Sequence, residues 1–259
     1  MDRIKILSNR AALSSANLPS ICCYTVHNSY NGICSSDFSQ NFNLMALGNR
    51  ESFIDVWSLT REKLKSIRPS TELSAMSTHD LENFDRIFAE DDSISKRLTG
   101  HAGPVFGCRF SPDGQFLFSC SQDQTVRLWS LGTYSSIMAY RSHMGPVWDV
   151  DVGASGHYFV TASADKTARL WSTQSVQPLR MFVGHFSDVD VVRFHPNCNY
   201  VATGSSDKTI RLWDINKASC VRLFTGHLRG VSAVALSPNG RLLASGGTRQ
   251  VCIWCVFNF

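Results

Sequence analysis

No stretch of this 259-residue chain approaches 18 consecutive apolar residues, so the sequence offers no helical membrane span. It has no Asn-x-Ser/Thr acceptor, and its nine cysteines are odd in number and irregular in spacing. Both features suit a reducing cytosol or nucleus better than a secreted, disulfide-stapled framework. Neither sign of charge dominates: 25 Lys and Arg against 21 Asp and Glu leave a net +4, spread along the chain. The basic stripe that nucleic-acid binding requires is missing, so no direct nucleic-acid contact is expected. The usual catalytic signatures are missing too: there is no G-x-S-x-G, Walker loop, H-E-x-x-H or dinucleotide glycine motif. The N-terminus, MDRIKILSNRAALSSANLPS, has basic residues but no continuous apolar core, which argues against a secretory signal. Its serines, arginines and scarcity of acids give it a weaker transit-peptide character. Residues 1–17 are expected to be disordered.

What the chain does have is a repeat. The stretch Gly184 to Asp214 opens with Gly-His, closes with Trp-Asp, and holds two apolar runs separated by the turn His195-Pro196-Asn197. A shift of 42 residues superimposes His101, His143, His185 and His227. The same shift superimposes Asp123, Asp165 and Asp207, and Trp129, Trp171 and Trp213, while Ser119, Thr161 or Thr203 stands four residues before each Asp. A period near 40 bounded by Gly-His and Trp-Asp resembles a WD-repeat β-propeller. The hydrophobic fraction of 43% is that of a soluble globular protein able to bury such a fold.

The three clear repeats each read as strands. The inner strands are Val105–Phe110, Val147–Val152 and Val189–Phe194; the second are FLFSCS, YFVTAS and YVATGS; the third are TVRLWS, TARLWS and TIRLWD. Their β-branched and aromatic residues favour extended backbone. An outer strand such as Ser219–Phe224 leads to the next His. A weaker first repeat has strands through Ile33–Phe38, Leu44–Leu47 and Phe53–Trp57, with Arg50 or Glu51 near the missing turn Asp. His27 is two residues out of register and is not given the repeat's His role. Residues 58–97 interrupt the period as an inserted linker. Within it Leu81, Phe84, Ile87 and Phe88 fall at helical spacing, with Ser77 and Asp80 as a cap. That short helix either packs beside the first blade or docks a partner. A fifth repeat keeps His227 and Ser245, has Arg249 where Asp is due, brings Trp254 one residue early, and stops before an outer strand. The expected architecture is all-β: an incomplete WD-repeat propeller over residues 18–259, about five blades with the last truncated, forming an open arc. Leu18–Val26 reads as a strand ahead of the first blade.

The repeated residues have a physical logic. A Trp indole N–H can donate to the Ser or Thr hydroxyl, the hydroxyl to His, and His to Asp, so that buried polar groups pair with one another. The sets are His101, Ser119, Asp123 and Trp129; His143, Thr161, Asp165 and Trp171; and His185, Thr203, Asp207 and Trp213, with His227, Ser245 and Trp254 as a partial fifth. His, Ser and Asp also suggest a hydrolase triad. Recurrence in every repeat, each time with a Trp, favours the structural reading, and no catalytic or cofactor residue is assigned. Cys252-x-x-Cys255 lacks a second pair and lies on a strand, where its side chains face opposite ways. His195-x-x-Cys198 sits in a turn. No metal site is assigned to either.

Some segments go beyond the generic repeat. Residues 18–32, 145–152, 168–214 and 220–227 resemble the WD-repeat TBP-associated factors, the fifth-subunit family of TFIID, and its paralogue in SAGA-type histone acetyltransferase complexes. KLKS at 63–66 and the acidic insertion lean toward the SAGA-type paralogue. The resemblance covers about residues 18–247. It implies a nuclear, non-enzymatic scaffold of transcription initiation or co-activation, whose propeller docks histone-fold TBP-associated factors and other subunits. Departures from the family are the missing N-terminal helical region, the stop within the fifth of seven blades, and the last dozen residues. Two other readings stand beside it: a WD-repeat adaptor in ubiquitin ligation or RNA processing, and an enzyme built on a propeller. The second needs convergent ionisable groups outside the repeated sets, which the sequence does not show.

Overall fold

The computed structural model describes residues 26, 32–60, 64, 66–67, 88–89 and 93–256. Every regular element among them is a β-strand, and they form successive antiparallel sheets. The first sheet begins with β1 (Ile33–Phe38), β2 (Leu44–Asn49) and β3 (Phe53–Ser58). A two-residue pair follows, β4 (Ser66–Ile67) with β5 (Phe88–Ala89), and then β6 (Ser95–Thr99) returns to the edge of β3. The second sheet is β7 (Val105–Phe110), β8 (Phe116–Ser121), β9 (Thr125–Ser130) and β10 (Ser135–Arg141). The third is β11 (Val147–Val152), β12 (Tyr158–Ser163), β13 (Thr167–Ser172) and β14 (Arg180–Val183). The fourth is β15 (Val189–Phe194), β16 (Tyr200–Ser205), β17 (Thr209–Asp214) and β18 (Ser219–Thr225). The fifth has three strands among the described residues: β19 (Val231–Leu236), β20 (Leu242–Gly247) and β21 (Val251–Cys255). The inner strands β1, β7, β11, β15 and β19 pack in series, so the sheets fan out as an open, incomplete propeller.

Period-2 alternation explains the stacking. Leu117 of β8 faces back to the first sheet, in a core with Ile54, Val56 and Leu98. Its neighbour Phe118 faces forward, in a core with Val150, Phe159 and Trp171 of the third sheet. The same alternation builds the cores between the third and fourth sheets and between the fourth and fifth. Each inner strand also shifts register after its first residue, between Val105 and Gly107, Val147 and Asp149, Val189 and Val191, and Val231 and Ala233. A bulge there increases local twist and splays each sheet from its neighbour.

Two features refine the sequence expectations. Ser95–Thr99 begins inside the stretch 58–97 read as an insertion, yet pairs with β3 as the outer strand of the first sheet. A strand before Gly100-His101 fits the repeat, but the connection lies within the first sheet, and the polar sequence SKRLT gives no signal of the partner it joins. Phe88, the last member of the helical stripe, is extended and opposite Ile67. Leu81, Phe84 and Ile87, the cap at Ser77, His27 and residues 1–17 lie outside the described residues, as does Leu18–Val26 apart from Val26.

Candidate functional site

The repeated polar residues converge once per sheet. The hydroxyl sits on the second strand, the Trp on the third, the Asp in the tight turn between them, and the His in the loop entering the first strand. In the second sheet, Trp129 Nε1 donates to Ser119 Oγ (2.8 Å), Ser119 Oγ lies 2.7 Å from His101 Nε2, and His101 Nδ1 lies 2.9 Å from Asp123 Oδ2. In the third, Trp171, Thr161, His143 and Asp165 repeat the chain at 2.9, 2.7 and 2.7 Å. In the fourth, Trp213, Thr203, His185 and Asp207 do so at 2.8, 2.7 and 2.8 Å. A carboxylate only accepts, so Nδ1 carries the His proton, Nε2 accepts from the hydroxyl, and the hydroxyl's lone pair takes the indole N–H.

The turn fits this purpose. Asp165 Oδ1 accepts Thr167 N–H (3.0 Å) and the Thr167 hydroxyl (2.6 Å), which closes the loop on itself. The residue after each Asp has positive φ: Gln124 at 66°, Lys166 at 66° and Lys208 at 70°. Burial alone would raise the Asp165 carboxyl, but hydrogen bonds from His143, Thr167 and the Met144 N–H hold it well below its usual range. Asp123 is held low in the same way, and Asp207 is pulled down to about 2. Burial lowers His143 and His185 and outweighs the upward pull of their Asp partners. In the third and fourth sheets the chain thus joins an ionised carboxylate to a neutral imidazole.

This is triad geometry without triad access. Ser119, Thr161 and Thr203 have no exposed surface, and each oxygen already accepts an indole N–H. Nothing in this arrangement admits a substrate to the hydroxyl. The fifth sheet keeps part of the chain: Trp254 Nε1 donates to Ser245 Oγ (2.8 Å), which lies 2.6 Å from His227 Nε2. Gln250 Oε1 accepts Leu228 N–H at 3.4 Å, the bond that Asp207 makes with Phe186 N–H at 3.1 Å. The amide stands where the carboxylate is due, one residue beyond Arg249.

Sequence reasoning missed a second polar system, between sheets. The fifth residue of successive inner strands reads Asp37, Arg109, Asp151, Arg193. Asp37 accepts Phe110 N–H (2.8 Å) and pairs with Arg109 (3.2 Å), whose other side lies 3.7 Å from Asp151. Asp151 accepts Phe194 N–H (2.7 Å), while Asp149 accepts Val192 N–H (3.1 Å) and pairs with Arg193. Burial pushes Asp151 up to about 6, against the opposing pull of Arg193, the Phe194 N–H and Arg109. The alternating signs at one strand position were the available signal.

The two cysteine-bearing motifs stay apart from these systems. Cys252 and Cys255 lie on β21 opposite Ser245 and Leu242. His195 is buried, with Nδ1 2.7 Å from Asn197 Oδ1 and Nε2 donating to Gly240 O (3.0 Å) across to the fifth sheet. Among the described residues no group of three or more His, Cys, Asp or Glu is placed to hold a metal.

Four sheets with this chain, whole or partial, define the class. The chain belongs to the WD domain, G-beta repeat family, matched over residues 92–130, 134–172, 176–214 and 218–255. Beyond the class, it is homologous to particular transcription subunits. It is 47% identical over 135 residues to Transcription initiation factor TFIID subunit 5 of Drosophila melanogaster, covering 52% of this chain and 19% of that protein. The TFIID subunit 5 of Encephalitozoon cuniculi is 41% identical over 142 residues, 55% of this chain and 25% of its own length. The human TAF5-like RNA polymerase II p300/CBP-associated factor-associated factor 65 kDa subunit 5L is 42% identical over 152 residues, 52% of this chain and 25% of its own. The chain therefore matches a quarter or less of the length of each of these relatives.

Proposed function

We propose that this chain is the WD-repeat part of a nuclear scaffold subunit in a TFIID or SAGA-type transcription complex, and that it holds histone-fold TBP-associated factors. The observation that carries this reading is identity of 41–47% to such subunits over 135–152 residues. The repeat itself constrains only a handful of positions per sheet, so identity at that level extends beyond the hydrogen-bonded chain. The role is binding rather than catalysis, because the His, Ser or Thr, and Asp groups are buried and committed to one another. The three complete sets and the partial one hold the loops of the second to fifth sheets in place and so present the surface.

Affinity purification of the tagged chain from nuclear extract, with mass spectrometry, tests the proposal. Recovery of histone-fold TBP-associated factors with TFIID subunits, or with acetyltransferase subunits, supports it and names the complex. Recovery of ubiquitin-ligase or RNA-processing subunits instead replaces it with the general adaptor reading.

A further inference from the structure

Three arginines occupy the same place, the third residue of the third strand: Arg127 in β9, Arg169 in β13 and Arg211 in β17. Arg169 is satisfied. Its Nε donates to Thr167 Oγ1 (3.4 Å), Nη1 to the Ser142 hydroxyl and Nη2 to Asp165 (3.2 Å). Ser142 stands just before His143; the corresponding residues are Gly100 and Gly184, which offer no hydroxyl. The Nη1 partner of Arg169 is thus missing in those two sheets, and the Nε atoms of Arg127 and Arg211 are separately buried without a hydrogen-bond partner. Arg211 has the Phe186 ring beside it, 5.9 Å from its guanidinium carbon. In the second sheet Ala102 takes the Phe186 position, so Arg127 lacks that ring, and its Nη1 makes a long bond to Ser136 Oγ (3.4 Å).

Arg127 lines a cleft of about 540 Å³ together with Arg141, the last residue of β10. Arg141 is exposed, and its counterparts in the next two sheets are the uncharged Val183 and Thr225. The cleft's carboxylate, Asp123, is already engaged: Oδ2 takes His101 Nδ1–H and Ala102 N–H, and Oδ1 takes the Thr125 N–H and hydroxyl. Met144, which follows the lining residue His143 in the chain, is 85% exposed.

We propose that this cleft binds an anionic side chain, carboxylate or phosphorylated, carried by an extended segment of a protein partner, with an apolar neighbour resting on Met144. Two guanidinium groups match the oxygens of a carboxylate or phosphate, and charge-assisted hydrogen bonds to them are the strong kind. Arg127 also carries a hydrogen-bonding deficit that its equivalent in the third sheet does not. Two local cations without a basic stripe select a protein segment rather than a nucleic-acid backbone. The proposal stands independently of which complex contains the chain.

Peptide pools with degenerate flanks and a fixed central Glu, phosphoserine or Gln test it, read as binding to the immobilised full chain. The Glu or phosphoserine pool is expected to bind more tightly than the Gln pool, by about tenfold for one charge-assisted pair. Preference between the first two identifies the anion. Arg127 also lies over the Trp129 ring, so the variant that carries the test is Arg141→Gln, at an exposed side chain. It is expected to abolish the preference, whereas Arg180→Gln, in a different cleft, keeps it. Equal binding of all three pools, or a preference that survives Arg141→Gln, overturns the proposal.

Discussion

Replacing Asp165 by Ala tests the buried chain where it is most heavily loaded. The carboxylate receives His143 Nδ1–H (2.7 Å), Met144 N–H (3.3 Å), Thr167 N–H (3.0 Å), the Thr167 hydroxyl (2.6 Å) and Arg169 Nη2 (3.2 Å). Alanine leaves the buried His143 donor and the half-buried Thr167 donors without an acceptor, at about 1–3 kcal/mol for each group that water cannot reach. It also strands Arg169, whose side chain is 8% exposed, and removing one partner of a buried ion pair costs about 3–5 kcal/mol. These terms overlap because they share one carboxylate, so the expected loss is about 3–5 kcal/mol. For a chain of this size that is a fall in Tm of roughly 6–20 °C. Asp123 supplies the internal control. It accepts the equivalent His, backbone and Thr donors, but no arginine pairs with it among the described residues. Asp123→Ala is therefore expected to cost less, about 1–3 kcal/mol. Scanning calorimetry and urea titration of both variants give the ranking. A loss below about 1 kcal/mol for Asp165→Ala, or a larger loss for Asp123→Ala, refutes the argument.

Two further outcomes follow from the cores and the inter-sheet ladder. A Cβ at Gly204 would lie 2.7 Å from Val191 Cγ1, 2.8 Å from Val231 Cγ1 and 3.0 Å from Val234 Cγ2. Valine cannot easily turn away, so Gly204→Ala is expected to lower stability by about 1–3 kcal/mol in a urea titration, where an Ala in an exposed strand would raise it. Asp151 is raised to about 6 in the fold, above the unfolded carboxylate value of about 3.9. Between those values the folded chain binds more protons, so the contribution of this group is greatest at low pH and is lost as pH rises through 6. The wild-type chain should therefore lose stability relative to Asp151→Asn between pH 4 and pH 7, by about 2–3 kcal/mol. Shifts from His143 and His185 are common to both chains and cancel in the difference, so parallel melting curves across that range exclude the effect.

Much of the fold was legible because one period repeats. The strands of the second, third and fourth sheets follow from alternation within six residues, and the His, Ser or Thr, Asp and Trp positions follow from a shift of 42. What stayed hidden depends on partners that local pattern does not connect. The strand at Ser95–Thr99 precedes a Gly-His as the repeat requires, but its pairing with Phe53–Trp57 crosses a connection whose length obscures the relation. Asp149 meets Val192 N–H 43 residues away, and Asp37 meets Phe110 N–H 73 residues away, in neighbouring sheets. Gln250 could not be read as a carboxylate substitute, because the shorter turn shifts it by one position. Arg127 and Arg169 hold the same strand position, and part of their difference lies more than 25 residues earlier, in the residue before the His of the same repeat, Gly100 or Ser142.

The direction in which each Trp packs has a consequence for how the chain is made. Trp129 is buried against residues of the first sheet, Trp171 against the second, Trp213 against the third, and Trp254 rests on the fourth. Each of these four indoles is thus covered by the sheet that precedes it in the chain. A ribosome delivers that covering surface first, so each new sheet emerges onto a completed platform and its largest apolar group never waits for a partner still to be synthesised. Assembly can advance one sheet at a time, each addition resting on its predecessor alone.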